Sequence, residues 1–231
     1  MSKNKLIVLE GLDGSGKSTQ TQLVKDYLEA NNFTYTYFHF PMYGHNQFSD
    51  MISRFLRGEF GNVNEVDPYF VASIYAMDQW KFKPELESAL ETGHVLLDRY
   101  VFSNLAYQGA KNQTSFHEKI IRQWIYDFSF KFLNMPYPDL TIFFDVPIIF
   151  IEERLKEKRL GEDRRYLEGK SDIHEMDIAY QSKVRDNYLD LMGYEGYKII
   201  SCSDEKLNIY NPTQLFFRYS GLLNKVLINS D

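Results

Sequence analysis

The chain has 231 residues, 44% hydrophobic and 25% charged, which is the composition of a globular protein with a sizeable single core. A net charge of −6 with no long run of Lys or Arg argues against binding a nucleic-acid backbone. One cysteine, Cys202, excludes an internal disulfide framework, no apolar run is long enough to cross a membrane, and the first strand begins too early for a signal peptide, so a cytoplasmic setting is expected.

Lys5 to Leu9 is a short apolar run of the kind found in buried parallel strands. It leads into Gly11-Leu12-Asp13-Gly14-Ser15-Gly16-Lys17-Ser18, which fits G-x-x-x-x-G-K-[ST], and into a helix predicted over residues 17–30 with Leu23, Val24, Tyr27 and Leu28 on one face. Strand, glycine turn and helix together define a phosphate-binding loop. Its backbone N–H groups, with those of Thr19 at the helix start, would surround a polyphosphate, Lys17 would reach the β/γ-phosphates, and the Ser18 hydroxyl would ligate Mg²⁺.

Further along, Thr34 to Phe40 predicts a second strand, Asp50 to Leu56 a helix, and Asp67 to Thr92 one long helix with an Asp-Pro start and Gly93 past its end. Val95 to Leu97 predicts a third strand ending in Asp98, Ser115 to Leu133 a helix, Leu140 to Phe144 a fourth strand ending in Asp145, and Pro147 to Lys158 a helix. Residues 159–171 are polar with two glycines and read as a mobile loop; Asp172 to Met192 is helical, Tyr197 to Ser201 a last strand, and Asn211-Pro212 opens a C-terminal helix. Alternating strands and helices predict one α/β domain over residues 1–231, a doubly wound parallel sheet of about five strands. The five histidines lack metal-ligand spacing and read as structural or surface residues.

Ligands of such sheets bind beyond the carboxyl ends of the strands. Asp98 there has the place of a second Mg²⁺-holding carboxylate, Asp145 competes for that role or starts a helix, and Arg99 suits bidentate capture of a second phosphate. Asp13, inside the loop, would be repelled by phosphates unless it faced metal or a substrate hydroxyl, which makes it a candidate for organising the acceptor. Arg154, Lys156, Lys158, Arg159, Arg164 and Arg165 crowd residues 153–171, which read as a lid closing over the transferring group rather than as a solvated charged face.

With these residues assembled, the chain resembles the thymidylate kinases from the first strand to about residue 195. The resemblance rests on Glu10 to Thr19, Phe40-Pro41-x-Tyr43-Gly44, Tyr75 to Asp78, the stretch from Asp98 to Gln108, Pro138 to Leu140, Asp145 to Pro147, and Asp172 to Glu175. It implies a homodimer that passes the γ-phosphoryl group of ATP to dTMP with Mg²⁺. By the same resemblance Arg99 binds the dTMP phosphate, Asp13 lies near sugar and phosphate, and Tyr75 stacks on thymine. Tyr43 and Leu56 help wall the site, Asn104 hydrogen-bonds the base, and Tyr107 crowds the sugar 2′ position. Phe40, Gln79, Ser103, Gln108 and His174 complete the implied acceptor set. The family places a catalytic basic residue in the loop or in the lid. Positions 14 and 15 here are glycine and serine, so the lid must supply it, with Arg159 and Arg164 preferred over Arg154, Lys156 and Lys158. Met42 and Gln79 stand where relatives often carry charged residues, which leaves another deoxynucleotide or deoxynucleoside open as acceptor. A nucleotide-binding switch would be supported by a guanine-reading Asn-Lys-x-Asp, and none occurs.

Overall fold

A computed structural model describes residues 4–112, 114–156, 162–170, 172–175 and 177–228, the side chains of 156 and 162–164 excepted. Five strands, β1 (Leu6–Gly11), β2 (Tyr35–His39), β3 (His94–Asp98), β4 (Leu140–Asp145) and β5 (Tyr197–Ser201), form one sheet in the order β2-β3-β1-β4-β5. All four pairings are parallel. Every residue of β1 is buried, β3 and β4 are nearly so, and the edge strands β2 and β5 are half exposed. The continuous apolar runs are thus confined to the strands that helices cover on both faces.

The helices are α1 (Lys17–Ala30), α2 (Gln47–Leu56), α3 (Pro68–Lys81), α4 (Lys83–Thr92), α5 (Val101–Gly109), α6 (Ser115–Tyr126), α7 (Ile148–Lys156), α8 (Ile178–Asp190) and α9 (Pro212–Ile228). The doubly wound parallel sheet is therefore present as predicted, and α1, β5 and α9 begin where the sequence places them. The long helix predicted over 67–92 is two helices. Asp67 caps α3 through Tyr69 N (2.9 Å) and Phe70 N (3.0 Å), as the Asp-Pro signal implies. The chain then breaks at Phe82, because Pro84 has no N–H for the preceding turn and its ring clashes with the carbonyl four residues back.

Helix α2 starts earlier than predicted, at a capping box in which Asn46 Oδ1 accepts from Phe48 N (2.8 Å) and Ser49 N (3.0 Å). Helix α5 has no counterpart among the predicted elements; eight of its nine residues are buried, and its polar side, Ser103, Asn104, Tyr107 and Gln108, faces a pocket rather than solvent. The helix predicted to Leu133 continues past α6 as a π-helical stretch, Asp127–Phe132. Within the segment read as a mobile loop, Glu162–Leu167 form a 3-10 helix. Residues 173–175 are a turn, and α8 begins only where Asp177 accepts from Tyr180 N at 2.9 Å.

Candidate active site

Strand β1 ends at the phosphate loop, at the point where the chain's crossovers change from one side of the sheet to the other. Gly14 (φ 78°) and Gly16 (φ 79°) adopt left-handed backbone, and Gly16 is the residue before α1. The first turn of α1 carries no acidic side chain, so its N–H groups keep their partial positive charge for an anion. A pocket there is lined by Leu12 to Thr19 together with Arg99 and Arg154. Gly11 is buried just behind it; a Cβ at Gly11 would come within 2.6 Å of Ser15 Oγ.

Lys17 and Asp98 are both buried and form an ion pair. His39 Nδ1, at the end of β2, approaches the second Asp98 oxygen at 3.2 Å, a site role that the histidine's sequence surroundings do not announce. Burial alone would raise the Asp98 carboxyl, but Lys17 and then His39 outweigh it and hold that carboxyl well below the usual range. Asp98 is therefore ionised at neutral pH. The Asp98 carboxylate and the Ser18 hydroxyl are hard oxygen donors of the kind Mg²⁺ takes. Among the described residues no cluster of three His, Cys, Asp or Glu side chains could cage a metal. These residues fit an ion held by one carboxylate, one hydroxyl and phosphate oxygens. The competing carboxylate, Asp145, is engaged elsewhere: Arg185 Nε and Nη2 donate to its two oxygens at 2.6 and 2.9 Å.

Arg99 follows Asp98 and lines the phosphate-loop pocket. Its backbone is left-handed (φ 66°), a conformation that costs a non-glycine residue on the order of 1 kcal/mol. A residue without an assigned role in sequence holds this turn. Glu10, wholly buried at the end of apolar β1, accepts from Tyr100 N (3.0 Å), Ser103 N (3.1 Å), Ser103 Oγ and Tyr188 Oη (3.0 Å). Burial pushes the Glu10 carboxyl up despite these donors. An acid within an apolar strand is the signal that marks it. Arg99 then donates from Nη2 to Asp13 Oδ1 (2.6 Å) and from Nη1 to Ser103 Oγ (3.2 Å), and Tyr107 Oη donates to Asp13 Oδ2 at 2.9 Å. Asp13 thus couples the loop to the arginine.

Beside this group lies a second pocket, partly open to solvent. Of the predicted acceptor residues, Tyr43, Leu56, Tyr75, Arg99, Ser103, Asn104, Tyr107, Gln108 and His174 line it, with Asp13 at its edge. Phe40 and Gln79 do not. Phe40 is core, packed at 6.2 Å centroid distance on Phe82 and on Tyr100, and Gln79 is buried within α3. Pro41, Tyr166 and Asp172 line the pocket although sequence reasoning missed them. Asp78 shapes the rim, accepting from Met42 N (3.0 Å) and Asn46 Nδ2 (2.7 Å) after the cis Phe40-Pro41 bond. Asn104 Oδ1, Gln108 Oε1 and His174 Nε2 are buried acceptors or donors with no hydrogen-bond partner among the described residues. Burial, reinforced by Lys111, pushes the His174 imidazole well below its ordinary range, so it is neutral. Unpaired polar atoms around an aromatic pocket are what a heterocyclic ligand would satisfy.

Of the predicted lid side chains, Arg159 lies outside the described residues, and Lys158 with it; at Arg164 and Lys156 only the backbone is described. Arg154 is exposed at the phosphate pocket. Its Cβ would stand 3.4 Å from a Cβ at Gly14, and its Nη1 3.8 Å from one at Gly16.

A phosphate loop on a five-stranded parallel sheet, with an arginine-bearing second pocket beside it, defines a P-loop nucleoside monophosphate kinase. The family model for thymidylate kinase matches residues 9–211. The chain belongs to the thymidylate kinase family. It is 28% identical over 207 residues to a probable thymidylate kinase 1 of Saccharolobus solfataricus, covering 87% of this chain and 90% of that protein. It is 29% identical over 201 residues to a probable thymidylate kinase of Pyrobaculum aerophilum, covering 85% and 88%. The fold is also that of two solved structures. The thymidylate kinase of Candida albicans has a TM-score of 0.66 at 23% identity, covering 96% of this chain and 93% of that one. The thymidylate kinase of Ehrlichia chaffeensis has a TM-score of 0.62 at 20% identity, covering 96% and 99%.

Proposed function

We propose that this chain transfers the γ-phosphoryl group of ATP to dTMP, giving dTDP and ADP, with the donor on the phosphate loop and the acceptor in the adjoining pocket. The observation that carries the reading is Arg99. It lines both pockets and is tied to the phosphate loop through Asp13, so a phosphate bound to it faces the donor's terminal phosphate. Such transfer asks for alignment and charge neutralisation rather than a covalent partner.

In this reading Gly11 to Thr19 bind ATP and Lys17 leaves Asp98 to reach the β/γ-phosphates. Ser18 and Asp98 would hold Mg²⁺, which supplies neutralisation of the charge on those phosphates. Tyr75, Tyr43 and Leu56 enclose thymine, and Asn104 Oδ1 accepts from its N3–H. Tyr107, whose hydroxyl donates to Asp13, would crowd the sugar 2′ position and so favour deoxyribose. The charge that completes the transition state comes from residues 153–171 as a lid, through Arg159, Arg164 or Arg154. Arg154 has the support of standing beside Gly14, where a loop-borne side chain would otherwise project.

The same reading makes the protein a cytoplasmic homodimer of single-domain subunits. Exposed apolar side chains on α3 and α6 and in the π-helical stretch, Phe70, Phe116, Ile120 and Phe132, are the surface that a second copy would cover. Sedimentation should give twice the 27.3 kDa of one chain, and Phe132→Glu should shift it toward the monomer. The acceptor is tested by a coupled assay across dTMP, dUMP, dGMP, dCMP and thymidine with ATP and Mg²⁺. Highest kcat/KM for dTMP is expected, and preference for any other acceptor overturns the assignment.

A further inference from the structure

Helix α5 starts without a cap of its own: Tyr100, the residue before it, offers no side-chain acceptor to the first turn. The N–H groups of Tyr100 and Ser103 donate instead to Glu10 Oε1, a carboxylate that sits on β1, 90 residues before Tyr100. A carboxylate at a helix N-terminus satisfies such donors and complements the helix dipole. The other oxygen, Glu10 Oε2, accepts from two hydroxyls, Ser103 Oγ and, at 3.0 Å, Tyr188 Oη. These hydroxyls also meet each other at 2.8 Å, and Ser103 Oγ accepts from Arg99 Nη1 at 3.2 Å. Tyr188 belongs to α8 and is wholly buried. Its ring lies flat on Phe143 of β4 with centroids 4.4 Å apart, and its carbonyl accepts from Tyr197 Oη at 3.0 Å. A fixed phenol, a buried carboxylate and a serine thus form one hydrogen-bonded chain that ends on the Arg99 guanidinium.

We propose that Tyr188 and Glu10 are positioning residues for Arg99 and set how tightly the acceptor's phosphate is held. The inference rests on the reading of Arg99 as the acceptor-phosphate residue. A planar guanidinium grips a phosphate through two parallel N–H groups only while its plane is fixed. Arg99 has two anchors: Asp13 takes Nη2 and Ser103 takes Nη1. Asp13 is part of the phosphate loop, where the donor's charge arrives, so Ser103 is the anchor on the acceptor side. A serine hydroxyl by itself rotates to suit any neighbour. Here Glu10 commits the Ser103 proton, which leaves the Oγ lone pairs to Arg99, and the Tyr188 hydroxyl holds the pair in register. Neither Tyr188 nor Glu10 lines the phosphate-loop pocket or the acceptor pocket, so each reaches the ligand through this chain.

Calorimetric titration of wild type, Tyr188→Phe and Glu10→Gln with dTMP and with thymidine, its phosphate-free counterpart, tests this. The ratio of the two dissociation constants is the contribution of the phosphate. Phe keeps the ring on Phe143 and on Tyr107 and loses only the hydroxyl. It should weaken dTMP binding about three- to tenfold and thymidine binding less than about twofold. Gln turns one accepting oxygen into a donor that faces other donors, and should weaken dTMP about tenfold or more with the same selectivity. In an Arg99→Ala background, Tyr188→Phe should add less than about twofold, because the residue it acts through is gone. A merely structural tyrosine would lower the folded fraction without separating the two ligands. A dTMP constant within about twofold of wild type in Tyr188→Phe, equal weakening of both ligands, or an undiminished effect in the Arg99→Ala background overturns the proposal. A phosphate contribution that survives Arg99→Ala would instead overturn the reading of Arg99 beneath it.

Discussion

The two pockets are built in opposite ways. The donor side is one stretch of backbone, Leu12 to Thr19, polar, open, and formed by glycine torsions and a helix start. The acceptor side is made of side chains from six places along the chain, between Asp13 and His174, several of them aromatic. Each contains a buried carboxylate, and these too are opposites. Asp98 faces cations and its carboxyl is held down. Asp172 is buried, faces Asp13 and Glu175, and its carboxyl is pushed up to about 7 against the hydrogen bonds from Tyr166 and His174. A site read by backbone tolerates exposure because its ligand brings the charge. A site read by side chains must exclude water for weak, directional contacts to discriminate.

Arg99 is where the halves meet, so its loss should be the most damaging. Arg99→Ala should lower kcat/KM by on the order of 10³ or more, and Arg99→Lys should recover little of it, since a point charge cannot span Asp13, Ser103 and a phosphate. Lys17→Ala should be comparably severe but expressed with ATP rather than dTMP. Full activity in Arg99→Lys would remove the bidentate role.

The charge delivered to the transition state separates the halves next. The double variant Arg159→Ala, Arg164→Ala should cost on the order of 10³ in kcat by analogy with arginine fingers, and Arg154→Ala on the order of 10². Single-turnover rates at saturating ATP and dTMP measure both, and unchanged rates in the double variant reject the lid assignment. On the acceptor side, Asn104→Ala should raise KM for dTMP about 10- to 100-fold and leave KM for ATP alone, because it removes the unpaired Oδ1 and the Nδ2 donor to Ala72 O.

The same contrast explains what was readable before any coordinates. The donor loop is contiguous, so its spacing is its structure, and Gly14, Gly16, Lys17 and Ser18 can be named from the pattern alone. Arg99 and Asp98 are legible because the end of a buried strand is a position that sequence marks. Tyr107, Asn104 and Gln108 are on α5, a short helix with eight of nine residues buried, whose polar side reads no differently from a solvated one, so only family resemblance reaches them. That resemblance also draws in Phe40, which packs in the core, and Gln79, which is buried within α3 and is not among the residues lining the pocket. Tyr166 and Asp172 are hidden for a different reason. Their role comes from a fold-back that places a polar connector against the Phe40-to-Gly44 turn, and no local pattern encodes that approach.

The two carboxylates give the finest test of the contrast. Asp172 in the folded chain keeps its proton to about pH 7, while in the unfolded chain it loses it near pH 4. Between those values the native state binds the extra proton, so the stability this group contributes is complete below pH 4 and is lost as pH rises through 7. A shift of this size corresponds to about 4 kcal/mol as an upper bound by pH 8. Asp98 has the reverse sign: its carboxyl is depressed, so its contribution is complete at neutral pH and is lost only on strong acidification. Asp172→Asn keeps an oxygen for His174 N and an amide that can donate to the Tyr166 hydroxyl, and it cannot ionise. Urea unfolding at pH 5 and pH 8 should therefore show near-equal stability for variant and wild type at the lower pH and a more stable variant at the higher. The corresponding change in the donor half, Asp98→Asn, should destabilise at both, because it strands the buried Lys17 ammonium without its counter-charge. Parallel pH profiles for Asp172→Asn and wild type would show that the acceptor half bears no buried charge of its own, and the distinction between the two carboxylates would fall.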